Sequence, residues 1–308
     1  MKKWIHMLGL LIFAWLLFHI GIDRVLQEIP RMEVGWFLTA IALTIPLSLL
    51  FTYRFHVILR DCGIGLSFGK CFRYYLLGQY YGFITPGKIG SFYRIYLIKD
   101  GEGVPLKHSF WAVVTDRIAD IFGMGALACV GCVIIFPYTP VFFWVFLGMG
   151  LLALLLIYAM VQRKRVSKLL RYIVPAKFHQ DYLSKDDLIV LPSPSRLLVI
   201  AAISLLCWAG IFFQGWIVVR AYTTAFPAAD YILVAPIASI IGLIPVSVSG
   251  FGTRDSVYIY LLSIYGISET MALTLSLLCY FVNAAIPSIT GGLYELFLFV
   301  KQRLRTHA

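Results

Sequence analysis

Thr85-Pro86-Gly87-Lys88-Ile89-Gly90 interrupts one apolar stretch of this chain, and Ser247-Val248-Ser249-Gly250-Phe251-Gly252 interrupts another at the corresponding place in the second half. A helix broken at membrane depth leaves backbone groups that lipid cannot hydrogen-bond, so each break must line a cavity inside the protein. Paired interruptions in two halves of a membrane chain are also the best sequence pointer to a transport site between repeats.

The rest of the composition agrees with a membrane setting. Of 308 residues 60% are hydrophobic and only 13% are charged, and the mean hydropathy is +0.86. A soluble chain carries about 25% charged residues. The apolar residues fall in long runs, without the alternation of a lipid-facing barrel strand. The net charge of +11 sits in loops and at the C-terminal end, where it serves topology and attraction to anionic headgroups. Nucleic acid is therefore excluded as a partner. Six cysteines are scattered; Cys129 and Cys132 have metal-like spacing but lie mid-helix with no second ligand pair nearby. They read as packing residues, and neither a metal nor a cofactor is expected.

Full spans are predicted at about 4–22, 35–58, 109–136, 141–161, 197–220 and 270–299, each near the ~20 residues a bilayer requires. Between them lie two shorter broken pairs, 72–84 with 89–98 and 231–246 with 253–265. Their arms are too short to cross, so they read as re-entrant hairpins. Met1-Lys2-Lys3 precedes the apolar stretch 4–22 as in a signal peptide, but no small-residue cleavage site comes after it, and a retained first helix is expected. The expected fold is all-α: a polytopic membrane helical bundle with six full spans and two re-entrant broken-helix hairpins arranged as inverted repeats. One integral membrane domain covers 1–308, with the first helix and outer loop at 1–34, the first repeat at 35–161, a basic cytoplasmic loop at 162–196 and the second repeat at 197–308. The segment near 163–174 reads equally as an amphipathic surface helix or a solvated loop. Lysine and arginine accumulate on one side throughout, which places both termini in the cytoplasm.

Ionisable groups at membrane depth carry the chemical information, since each costs about 2.5–3.5 kcal/mol at a helix centre. Lys88 sits in the first break and Arg94 just beyond it; Asp116, Arg117 and Asp120 open the next long helix; Arg254 and Asp255 follow the second break. Asp116, Arg117 and Asp120 share a helix face or its margin. They make either a structural ion pair that fixes packing or a group that steers Arg117 toward an anionic substrate. After a break, a new half-helix points free backbone N–H groups and its positive dipole end inward. Beside Pro86, the missing side chains of Gly87 and Gly90 let a ligand oxygen approach, and Lys88 completes an anion cradle; the competing reading is that Lys88 snorkels to an interface. Ser247, Ser249, Gly250, Gly252 and Arg254 offer the same parts in the second half. Arg54 either lines the same cavity or marks its cytoplasmic end, the second reading being favoured. Tyr74, Tyr75, Tyr80, Tyr81, Tyr93 and Tyr96 read mostly as interface anchors.

In order and spacing, these residues resemble the flippase-like membrane region of the bacterial lysylphosphatidylglycerol synthase family and its stand-alone relatives. The likeness runs from Tyr53-Arg54-Phe55 through Thr85–Gly90 to Arg94 and Asp116-Arg117-Ile118-Ala119-Asp120. It resumes at Pro245-Val246-Ser247 and Gly250-Phe251-Gly252-Thr253-Arg254-Asp255 and ends near Gly291-Gly292. Ser91 stands where the family often has glutamate, and Val248-Ser249 where it often has a second proline-glycine. The resemblance implies a membrane protein that moves a lipid or lipid-linked intermediate between leaflets. The soluble aminoacyltransferase domain of full-length synthases has no counterpart in this sequence.

The leading expectation is thus a lipid translocase of the bacterial inner membrane, with an anionic phospholipid or polyprenyl-linked lipid as substrate. No GxxxxGK[ST] motif occurs, so direct nucleotide drive is not expected. Two alternatives stay open. One is an integral membrane glycosyltransferase-like enzyme, for which only Asp116, Asp120 and Asp255 offer themselves. The other is a lipid-binding accessory subunit, with a second copy or a cell-envelope enzyme as partner.

Overall fold

The computed structural model describes residues 15–135, 192–222, 226–243 and 250–306. The described residues are helical or in turns. After a helical segment at 15–20 and a turn at Gly21 come α1 (Ile22–Glu28), a short 3-10 turn (Ile29–Arg31) and α2 (Val34–Asp61). Next are α3 (Phe68–Phe83), a 3-10 helix (Pro86–Tyr93), α4 (Arg94–Glu102) and α5 (Leu106–Ile135). The second half contributes α6 (Pro194–Arg220), α7 (Ala228–Ile241), α8 (Thr253–Ser263) and α9 (Glu269–Tyr280). A π-helical turn (Phe281–Ala285) then joins α9 to α10 (Ile286–Thr306).

Four of these units are long and apolar enough to cross a membrane: α2, α5, α6 and the α9–α10 unit, over Val34–Asp61, Leu106–Ile134, Ser195–Arg220 and Glu269–Phe297. They coincide with four of the six expected spans. Most of the expected span 4–22 and all of 141–161 lie outside the described residues, as does the basic loop up to residue 191. Large apolar side chains such as Leu38, Ile45, Val133, Leu206 and Leu293 are exposed on the outside of the bundle, as expected of helices that meet lipid.

Lipid tails are as apolar as leucine, so helices in a bilayer gain little by merely hiding leucines from it; close backbone contact takes over. Glycines supply it here. A Cβ at Gly123 of α5 would meet the Ser204 carbonyl of α6 at 2.7 Å, and one at Gly131 would strike the Leu233 carbonyl of α7. Gly291 of α10 is seated in the same way on the Leu76 carbonyl of α3.

The two interrupted stretches are the short elements. At a 1.5 Å rise per residue, α3 and α7, with 16 and 14 residues, reach about 24 and 21 Å, short of the ~30 Å hydrocarbon layer. Each folds back on the element after it in the chain, α3 against the 3-10 helix and α7 against α8.

Candidate functional site

Three arginines and two aspartates meet at the centre of the bundle. The α5 residues Asp116 and Asp120 lie one turn apart, so their carboxylates face the same neighbours. The Arg54 Nη2 group from α2 donates to Asp116 Oδ1 and Asp120 Oδ1, both at 2.7 Å, and its Nη1 donates to Ser204 Oγ at 3.1 Å. Arg94, the first residue of α4, donates from Nη2 to Asp116 Oδ2 at 2.8 Å and from Nε to the Ser91 carbonyl at 3.1 Å. Arg117 bridges both carboxylates, at 2.9 Å to Asp116 and 2.8 Å to Asp120. Trp208 Nε1 adds a donor to Asp120 at 3.3 Å.

Burial is nearly complete, with Arg54 and Arg94 each 1% exposed. Phe51 and Phe55 lie under the Arg54 and Arg94 guanidinium groups at 5.1 and 4.7 Å. The Arg94 side chain passes directly over Gly78 of α3, where a Cβ would overlap it. So α2, α4, α5 and α6 are tied together by charge, and Gly78 gives the Arg94 stem its passage.

Next to this cluster lies a partly open cavity of about 140 Å³, room for a small polar head group and short of the 300–1,000 Å³ that holds a whole drug-sized ligand. Arg117 and Asp120 form one side of it. The first break contributes Lys88, and the two flanks of the second contribute Gly242 and Leu243 after α7 and Arg254 in α8. The remaining wall is largely aromatic, with Phe51, Tyr75, Trp208, Phe212, Tyr231, Tyr258 and Tyr280, and it takes in Gln79, Ser276 and Asn283. The π-helical turn supplies Asn283 and Ala284 to that wall; turns of this kind inside α-helices are frequent at functional sites.

At the second break, Arg254 Nη2 donates to Asp255 Oδ1 at 2.7 Å and Nε to Ser276 Oγ at 3.3 Å, while Ser276 Oγ donates to Asp255 Oδ1 at 2.6 Å. Tyr280 stacks on the guanidinium at 4.4 Å. Asp255 Oδ2 accepts the Gly252 N–H at 3.0 Å and so caps α8. Gly250 and Gly252 have φ of +81° and +83°, angles at which an L side chain would be strained.

Lys88 has φ of +56°, the one non-glycine residue with positive φ among those described. Left-handed backbone at a bulky residue costs about 1–3 kcal/mol and collects at functional sites. Among the described residues its ammonium has no ion-pair or hydrogen-bond partner, although it shares the cavity with Asp120.

The predicted site residues thus divide. Lys88, Arg117, Asp120 and Arg254 line the cavity, whereas Arg94, Asp116 and Asp255 stand behind them as ion partners. Ser247 and Ser249 lie outside the described residues, and Pro86 and Gly87 open the 3-10 helix. Three expectations are corrected. Asp116, Arg117 and Asp120 do not open their helix, since Asp116 is ten residues beyond Leu106 and well inside the span. Gly90 is not an opening for a ligand: a Cβ there would strike the Tyr81 carbonyl, and its N–H is taken by Thr85 Oγ1 at 2.7 Å. Arg54 is not a marker of the cytoplasmic end but the residue that joins both aspartates. Among the tyrosines, Tyr93 and Tyr96 are exposed, whereas Tyr74 and Tyr75 are buried and Tyr75 lines the cavity.

The model of the family described as "Lysylphosphatidylglycerol synthase TM region" matches residues 6–291. The chain belongs to this family. It is an integral multi-pass membrane protein, and curated relatives of similar length are similar to it end to end. A UPF0104 membrane protein of Methanocaldococcus jannaschii is 25% identical over 93% of this chain and 91% of the relative. Another of Pyrococcus horikoshii is 21% identical over 96% and 97%, and a third of Methanothermobacter thermautotrophicus is 23% identical over 92% and 90%.

Proposed function

We propose that the chain is a lipid translocase that carries the anionic head of a membrane lipid between leaflets through the cavity between the two breaks. One observation carries this reading: the helices on either side of both interruptions meet at the same cavity and each interrupted stretch brings a cation to it, Lys88 from one and Arg254 from the other. Broken helices facing each other across a midplane site are the arrangement by which many transporters expose one site alternately to each side. In this reading the single membrane domain has six crossings, α3 and α7 belong to re-entrant pairs, and the halves are inverted repeats joined through 162–196. Both termini lie in the cytoplasm, and the host is an inner or plasma membrane.

The enzyme alternative draws on Asp116, Asp120 and Asp255 as bases or metal ligands. Each is held by at least one arginine at 2.7–2.9 Å, so its oxygens are already committed to contacts within the protein. This favours transport.

The test is lipid movement in vesicles containing the purified full-length chain. Fluorescent phosphatidylglycerol and a polyprenyl phosphate, placed in one leaflet, should equilibrate faster than in protein-free vesicles. Equal rates with and without protein, across both lipids, would refute the reading.

A further inference from the structure

The buried charges around the cavity do not cancel. Arg54, Arg94 and Arg117 are joined to Asp116 and Asp120 by direct ion pairs, and Arg254 to Asp255. Lys88 shares the cavity with Arg117, Asp120 and Arg254. Five cations therefore face three carboxylates among the described residues, an excess of two positive charges. Taking an ion out of water costs several kcal/mol unless a counter-charge meets it, so an excess of this kind selects its complement. Donors remain to receive one. Beside the Lys88 ammonium, Arg117 and Arg254 each commit Nη2 to a carboxylate and leave Nη1 without a hydrogen bond among the described residues. The Arg117 Nε is buried and likewise unmet.

We propose that the head group accepted here carries two negative charges, as in a phosphate monoester or a diphosphate, in preference to a phosphodiester with one. Resting on the transport reading for its site, the assignment names the class of substrate. A phosphomonoester carries about −1.5 to −2 at neutral pH and three acceptor oxygens, enough for one contact each to Lys88, Arg117 and Arg254. A phosphodiester such as phosphatidylglycerol leaves one cation uncompensated. The glycerolipid and polyprenyl sources of such a head share this chemistry and differ only in their tails.

Binding to the purified full-length protein separates these cases, using phosphatidate, phosphatidylglycerol and phosphatidylcholine with identical acyl chains, together with a polyprenyl monophosphate and diphosphate. Phosphatidate should bind at least about tenfold more tightly than phosphatidylglycerol, the shift produced by about 1.4 kcal/mol, and phosphatidylcholine most weakly. Tight binding of both polyprenyl lipids but not phosphatidate would assign the polyprenyl source and keep the two-charge rule. Lys88→Gln, which lowers the excess to one, should bring phosphatidate and phosphatidylglycerol to near parity, while Lys88→Arg keeps the preference. Equal affinity of the native protein for phosphatidate and phosphatidylglycerol, with no tighter binding of the polyprenyl lipids, overturns the inference without any variant, and so does an unchanged ratio in a folded Lys88→Gln protein. Failure of transport is distinguishable. A strong two-charge preference without lipid flux would sink the translocase reading alone, and flux without the preference would sink this assignment alone.

Discussion

Replacing Asp116 by asparagine removes one charge and no volume, and it should cost this protein about 3–5 kcal/mol of stability, the loss seen when one partner is taken from a buried ion pair. Three guanidinium groups lie 2.7–2.9 Å from the two Asp116 oxygens. Charged hydrogen bonds are worth about 1.5–3 kcal/mol each, but the three do not simply add. Asparagine keeps one acceptor oxygen, and Asp120 still serves Arg54 and Arg117. The group left without a carboxylate is Arg94, whose only ion pair among the described residues is with Asp116. Arg94→Met should therefore rescue Asp116→Asn in part, since the double variant no longer buries an unmatched guanidinium. A coupling of about 1–3 kcal/mol is expected between residues in one such network. Equilibrium unfolding of the four proteins in mixed micelles measures all the quantities. A loss below about 1 kcal/mol for Asp116→Asn, or strict additivity in the cycle, would refute the claim that this carboxylate holds the helices together.

Other outcomes rest on the same contacts. Gly78→Ala places a methyl where the Arg94 stem runs, so it should cost about 1–3 kcal/mol in the same unfolding measurement, and Arg94→Ala, which removes the stem beyond Cβ, should make the added methyl nearly free. Lys88→Gly removes a side chain from left-handed backbone; its melting temperature should stay level or rise while lipid flux is lost, and retained flux would take Lys88 off the site. Arg254→Ala should abolish flux at normal expression, whereas a variant that traffics and transports normally would clear Arg254 of that role. Thr85→Val deletes the acceptor of the Gly90 N–H and the donor to the Tyr81 carbonyl, for an expected loss of about 1–2 kcal/mol and faster amide exchange at Gly90.

Much of this arrangement is legible in the sequence where one physical rule dominates. The long spans Val34–Asp61 and Ser195–Arg220 come from a need for about 20 apolar residues, and both breaks announce themselves through glycine and proline. Lys88 and Arg254 stand out because charge is rare at depth. Direction is the part that sequence spacing does not carry. Arg54 sits seven residues before the end of a 28-residue helix, a place where snorkelling outward and pairing inward look alike from the sequence. The difference is made by Asp116 and Asp120, sixty-odd residues away. Likewise Gly90 looks like a ligand opening until the Tyr81 carbonyl is seen filling it. Glycine marks a close approach, and the sequence is silent on who approaches.

The glycine contacts of α5 and α10 carry a mechanical consequence. Where Gly123 and Gly131 rest on carbonyls of α6 and α7, and Gly291 on a carbonyl of α3, backbone meets backbone, and a slide of one helix along the other must first lift it off. These neighbours shear poorly and travel as planks. Lys88 adjoins one plank, α3 with α10, and the aspartates belong to the other, α5 with α6 and α7. The π turn Phe281–Ala285 leads into α10 from a helix that packs on α6, with a looser backbone register than the helix on either side. A widening of the cavity that leaves the planks whole has this turn as one joint to flex, beside the link from α3 through Pro86–Tyr93 to α4.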